Sequence, residues 1–115
     1  MLKKMLLVLV VGLAVTFTNI DKAEAIDVYV GTSPVTGWRC FVMTETIERT
    51  DNGSYTRVVL KMLDNRDSNH LLRYGFWYDP QYDVMRFENY EGNSGIVNRY
   101  ETPIEWEMLQ VIRNY

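Results

Sequence analysis

His70 and Cys40, the one histidine and the one cysteine of this 115-residue chain, are the side chains with the most obvious chemical potential. A histidine can serve as general base or metal ligand near neutral pH. Zinc, however, needs several converging Cys, His or carboxylate ligands, and His70 has no cysteine and no second histidine nearby in sequence. It follows a polar turn and opens a β-prone segment, so it reads as a surface or edge residue. Cys40 is a nucleophile only beside a base. Set between Trp38 and Val42 in an apolar stretch, it reads as a buried, inert thiol, with an intermolecular disulfide as the alternative open to an unmatched cysteine in an exported protein.

The acids give no stronger signal. Asp64, Asn65 and Asp67 invite a calcium reading, but the segment lacks the central glycine and the alternating ligand spacing of a calcium loop, so it reads as a solvated turn. Glu45 with Glu48, Asp79 with Asp83, and Glu88 with Glu91 are carboxylate pairs close in sequence. Glycoside hydrolysis requires two acids held across a cleft at a defined separation, and a small sheet with one helix offers little room for one. Asn52-Gly53-Ser54 fits the N-glycosylation pattern, yet Asn-Gly is already explained as a hairpin turn. These residues predict a non-catalytic protein with no cofactor and no metal.

The aromatics are the more informative group. Tyr74, Phe76, Trp77 and Tyr78, with Tyr82 and Tyr90, form the densest aromatic region. Along a strand Tyr74, Phe76 and Tyr78 share one face and Trp77 takes the other. Core packing accounts for one face, and an exposed remainder would mark a contact surface. Tyr74, Trp77, Tyr82 and Tyr90 are the candidates for a partner surface.

The elements that would position these residues are largely β. Asp27 to Val30 reads as a short strand and Gly31 to Gly37 as a turn-rich loop. Trp38 to Met43 is β-prone with poor alternation. Asp51-Asn52-Gly53 supplies the positive φ values of a tight hairpin. From Ser54 to Leu63 the residues alternate, with Thr56, Val58, Leu60 and Met62 as the core-facing set. A polar turn at 64–69, a strand at 71–78, a turn at 79–81, a return at 84–87, a turn at 91–95 and a short strand at Ile96-Val97 follow. The period then changes. Thr102-Pro103-Ile104-Glu105 reads as a capping box with proline at the first helical position, and Ile104, Met108, Val111 and Ile112 recur at helical spacing. The expected helix covers residues 103–113. The expected fold class is α+β: an antiparallel β-sheet of five to six strands packed against one C-terminal α-helix, after an N-terminal signal-peptide helix.

The N-terminus carries a signal peptide pattern. Lys3 and Lys4 precede an uncharged apolar run from Met5 to Thr18, and Ala23 and Ala25 place small residues where signal peptidase needs them. Cleavage is expected before Ile26, giving residues 1–25 as signal and 26–115 as a single exported domain. The run, about 14 residues, is short of the roughly 20 that cross a bilayer. Without residues 1–25 the chain keeps nine cations against thirteen acids, a net charge of −4, with no basic cluster. That argues against nucleic acid as partner and against an anionic membrane surface after cleavage. A lone cysteine closes no internal disulfide, so packing must stabilise a domain of this size.

The run Glu45-Thr46-Ile47-Glu48-Arg49 before the turn, with Tyr55 to Lys61 after it, resembles the opening hairpin of the surface-adhesin protein E family. The segment from Thr102 to Ile112 resembles that family's closing helix. The resemblance implies a short exported chain with an antiparallel sheet and a terminal helix; the cysteine pair that often ties helix to sheet in that family has no counterpart here. The expected function is that of an exported binding or surface-associated domain, in the periplasm or outside the cell, with an unknown protein or surface ligand as partner. The alternative is a small accessory or inhibitor protein docking on an exported enzyme through its aromatic face or a sheet edge.

Overall fold

The computed structural model describes residues 26–115. Within them six strands run in sequence order and pair antiparallel with their neighbours: β1 (Asp27–Thr32), β2 (Arg39–Thr50), β3 (Tyr55–Leu63), β4 (Asn69–Asp79), β5 (Val84–Asn89) and β6 (Ser94–Ile96). One helix, α1 (Pro103–Arg113), closes the chain. The α+β expectation holds for this region, and α1 has the bounds the sequence predicts. The signal-peptide helix, with Ala23 and Ala25, lies outside the described residues. Ile26 is described: it is exposed beside β1, where its N–H donates to the Thr44 hydroxyl at 3.2 Å.

Turn chemistry sets the register. Asp51, Asn52 and Gly53 all take positive φ between β2 and β3, where side chains that tolerate the left-handed region are needed. At the β3–β4 turn, Asp64 Oδ1 accepts from the Arg66 and Ser68 backbone N–H groups at 2.8 and 3.0 Å. Asp64 is therefore a turn-former, and its partner His70 holds its carboxyl below the ordinary carboxylate value, the two backbone donors adding to the effect. His70 is more than a plain edge residue. It is half-buried and stacks on Trp38, with ring centroids 4.4 Å apart.

The alternation predicted for β3 is observed. Val58 and Leu60 are buried with Leu72, Tyr74 and Phe76 of β4 and Phe87 of β5. Helix α1 adds Met108, Leu109 and Ile112 to that face, each fully buried apolar side chain contributing roughly 1.5–3 kcal/mol. The helix lies over β1 and β2. A bulge between Tyr29 and Gly31 lets it approach: Gly31 has a φ of 132°, and a Cβ there would stand 2.9 Å from Ile104. Arg49 fastens the other end, its guanidinium donating at 2.7 Å to the Ile112 carbonyl, which also accepts from the Tyr115 N–H at 3.2 Å.

Two expectations need correction. The β-prone segment at 38–43 does not end there but runs on to Thr50 as one strand, interrupted between Met43 and Glu48, where β2 carries extra residues against β3. Thr46 takes over the backbone's role there: its hydroxyl accepts from Val59 N–H at 2.8 Å and donates to the Met43 carbonyl at 2.7 Å. The capping box is also not formed. Thr102 Oγ1 accepts from Asn98 N–H at 2.7 Å, closing the turn before the helix, and makes no cap bond. Glu105 instead accepts a hydrogen bond from the Tyr74 hydroxyl at 2.6 Å. Thr102 is taken by the local 98–102 turn, and Glu105 by the buried Tyr74 hydroxyl, which would otherwise be left unpaired.

Candidate functional site

The face of the sheet opposite α1 carries the candidate contact surface. Antiparallel pairing aligns its side chains in rows. Arg57 of β3 is opposite Gly75 of β4, which is opposite Glu88 of β5; Tyr55 is opposite Trp77, which is opposite Arg86. Phe41, Lys61 and Leu71 make a further row, with Tyr29 of β1 against Phe41 at 5.5 Å between centroids.

Gly75 organises the centre. With no side chain there, the Tyr55 ring lies diagonally across the bare backbone, and a Cβ at position 75 would come within 1.8 Å of its hydroxyl oxygen. Tyr55 thereby stacks on Trp77, centroids 5.8 Å apart and planes 14° from parallel, and donates its hydroxyl to Glu88 Oε2 at 2.7 Å. Desolvation first, and the Glu88 carboxylate second, push the Tyr55 phenol up to about 12, so it remains a hydrogen-bond donor at physiological pH.

Beside this centre lies an open groove of about 970 Å³, floored by β3 and β4 and bordered by the Thr46 bulge. Arg57 and Arg73 lie along it with Tyr90 at its β5 end. Arg57 reaches Glu48 only at 3.9 Å, both side chains well exposed, an arrangement of little energetic worth. Arg73 makes no ion pair among the described residues; its guanidinium lies 5.6 Å from the centre of the exposed Tyr90 ring. The other three cations of this face are engaged: Lys61 pairs with Asp27, Arg39 with Asp67 at 2.6 Å, and Arg86 with Asp79 at 2.7 Å. The Arg86 hydrogen bond holds the Asp79 carboxyl below its ordinary value. The groove thus offers two arginines with unused hydrogen-bonding capacity beside aromatic faces, with the acids Glu48, Asp51 and Glu88 also on its lining, so that an anionic group on an extended partner can pair with the arginines only at their own positions.

The four residues singled out in sequence do not form one surface. Trp77 is half-buried under Tyr55 on the groove face, Tyr90 is exposed at the groove's end, and Tyr82 is exposed over Arg86 at 5.6 Å. Tyr74 belongs to the opposite face, buried against Phe76 and Phe87. Strand parity puts it there, because its neighbour in register is the core residue Val58. Sequence reasoning passed over Tyr55, Arg57 and Arg73, since only pairing across strands brings them beside Trp77 and Tyr90. The available signal was Gly75, a glycine in the middle of a strand, which marks close approach by another group.

Cys40 is buried and unbridged, and burial raises its thiol pKa. The acid pairs are separately engaged where they are engaged at all: Asp79 with Arg86, Asp83 with the Tyr78 hydroxyl, Glu88 with Tyr55. Among the described residues no three His, Cys, Asp or Glu side chains converge to hold a metal ion, and no helix is long and apolar enough to cross a membrane. Comparison with known proteins finds no matching family model, no matching curated protein and no matching solved structure.

Proposed function

We propose that this is an exported, non-catalytic binding domain, working in the periplasm, at the cell surface or outside the cell. Its contact surface is the groove formed by Tyr55, Arg57, Arg73 and Tyr90. The observation that carries this reading is the groove's composition: two arginines lacking a close carboxylate partner stand beside the exposed Tyr90 and the half-buried Tyr55 on the face the fold does not use for its core. Aromatic and arginine side chains dominate protein contact energies, and a fold gains little from holding such residues on an open face. The signal-peptide pattern of residues 1–25 supports export. The partner is a protein or surface ligand that presents an acidic group, without nucleic acid and without a membrane after cleavage. An exported enzyme to be inhibited or assisted is one form such a partner can take.

Site-specific photo-crosslinking in cells tests this. A photoreactive phenylalanine analogue at position 90 should give a discrete adduct in the exported fraction. The same analogue at the exposed Tyr115, at the chain end, should not. Adducts of equal yield at both positions, or none at position 90, would remove the groove from consideration.

A further inference from the structure

We propose a second, independent binding site on the core side of the sheet: a cleft that takes a small primary ammonium compound with an apolar body and a hydrogen-bond acceptor next to the ammonium group. Because α1 lies over β1 and β2, the β3–β5 part of the core face is bordered by the β1–β2 loop, the turn at Glu101 and Thr102 and the start of the helix. A cleft of about 450 Å³ remains between them, within the usual range for small-molecule sites. Its floor is apolar, formed by Trp38, Leu60, Leu72 and Phe87.

The polar end of the cleft is built rather than incidental. Asn89 is the one buried polar residue among those described, 8% exposed. Its carbonyl oxygen accepts from the Glu91 and Asn93 backbone N–H groups at 3.0 and 3.1 Å, which fixes the amide's orientation. Its NH2 group, near the Tyr74 hydroxyl, makes no hydrogen bond among the described residues. The amide donors of this nine-tenths buried side chain on the cleft lining are left for a ligand acceptor, in a place where an unmet donor costs free energy. Tyr74 in turn donates to Glu105 Oε2 at 2.6 Å, while the second carboxylate oxygen of Glu105 takes no hydrogen bond and the residue forms no ion pair among those described.

Charge selects the ligand class. Glu91, Glu101 and Glu105 border the cleft, and none of its described lining residues is Lys, Arg or His. An anion is therefore repelled, and a neutral molecule leaves the free Glu105 oxygen without a partner. A primary ammonium group satisfies that oxygen, its neighbouring carbonyl accepts from Asn89, and its apolar body covers Leu72 and Phe87. The amino end of an apolar residue, free or at the head of a peptide, has this chemistry.

Phenylalaninamide at about pH 6, where its α-ammonium is protonated, is the probe, with N-acetylphenylalaninamide as the neutral match and 3-phenylpropanoate as the anion. Amide and methyl NMR shifts of the purified protein report where each binds. Phenylalaninamide should perturb Cys40, Leu72, Asn89 and Glu105, and bind about tenfold or more tighter than the neutral match, the usual worth of a hydrogen bond to a charged group. Glu105→Gln, which keeps an acceptor for Tyr74, should abolish that preference while leaving the melting temperature near that of the parent. Glu101→Gln at the rim should weaken it less. Equal binding of the three compounds, shifts confined to the opposite face, or no binding of phenylalaninamide would each overturn the site.

Discussion

The two faces of this sheet use aromatic residues for opposite ends. On the helix side Tyr74, Phe76 and Phe87 pack together with centroids 5.8 to 6.5 Å apart, and all three are buried. On the groove side Tyr55 and Trp77 stack at a similar spacing, but they are only half-buried and lie among Arg57, Arg73 and Arg86. Similar rings at similar distances thus stabilise the fold on one side and remain open to contact on the other. What separates the cases is the company of each ring, aliphatic and helical against cationic and solvent-facing. A substitution should consequently act on stability or on binding according to strand parity.

The sharpest break in that symmetry is expected on the helix side. Met108 is fully buried, and Met108→Asp places a charge there with no partner, among the few changes that unfold a small domain outright. Its circular-dichroism melt should lose cooperativity. A cooperative transition at the parent temperature would mean that α1 is not part of the core.

On the groove side the largest stability effect should come from Gly75→Ala. Glycine to alanine in a strand is ordinarily neutral or mildly stabilising, but here the methyl group would displace the Tyr55 ring from Glu88 and Trp77. The expected loss is about 1–3 kcal/mol, as for overpacking. In a Tyr55→Ala background the same change should cost nothing. A double-mutant cycle by urea denaturation reads the coupling, and additive effects would contradict the packing described.

Thr102→Ala should cost about 1 kcal/mol through the hydrogen bond that closes the 98–102 turn. Equilibrium urea denaturation of the variant beside the parent measures it.

The smallest effect concerns acid. Asp79 has its folded pKa depressed by Arg86, so its contribution to stability is complete above the unfolded value of about 3.9 and is lost as pH falls through the lower folded value. Asp79→Asn should flatten the decline in urea midpoint below about pH 4 and leave the slope near neutrality unchanged. An unaltered acid limb would show that the Arg86 pair does not act on stability.

Much of this architecture was legible because local chemistry and tertiary packing agree. Asp51-Asn52-Gly53 needs positive φ, the 55–63 segment alternates, and the 103–113 segment has a helical stripe. Where they disagree, sequence misleads. Thr102 and Glu105 have the spacing of a capping box but face Asn98 and Tyr74. The irregularity at 43–48 depends on Thr46 supplying two hydrogen bonds in place of backbone, which no local pattern announces. The groove was half-visible: Trp77, Tyr82 and Tyr90 were found through aromatic density, and Tyr74 was grouped with them although strand parity sends it to the core. Arg57 and Arg73 are sixteen residues apart in the chain and become neighbours only through the β3–β4 register.

The separation of roles between the faces is most directly tested by Arg57→Ala/Arg73→Ala in a protein carrying the photoreactive residue at position 90. Surface changes of this kind usually alter stability by about 0.5 kcal/mol or less each, so the variant should melt close to its parent while its adduct with the partner disappears. An adduct formed in undiminished yield, or a variant that fails to fold, would contradict the account.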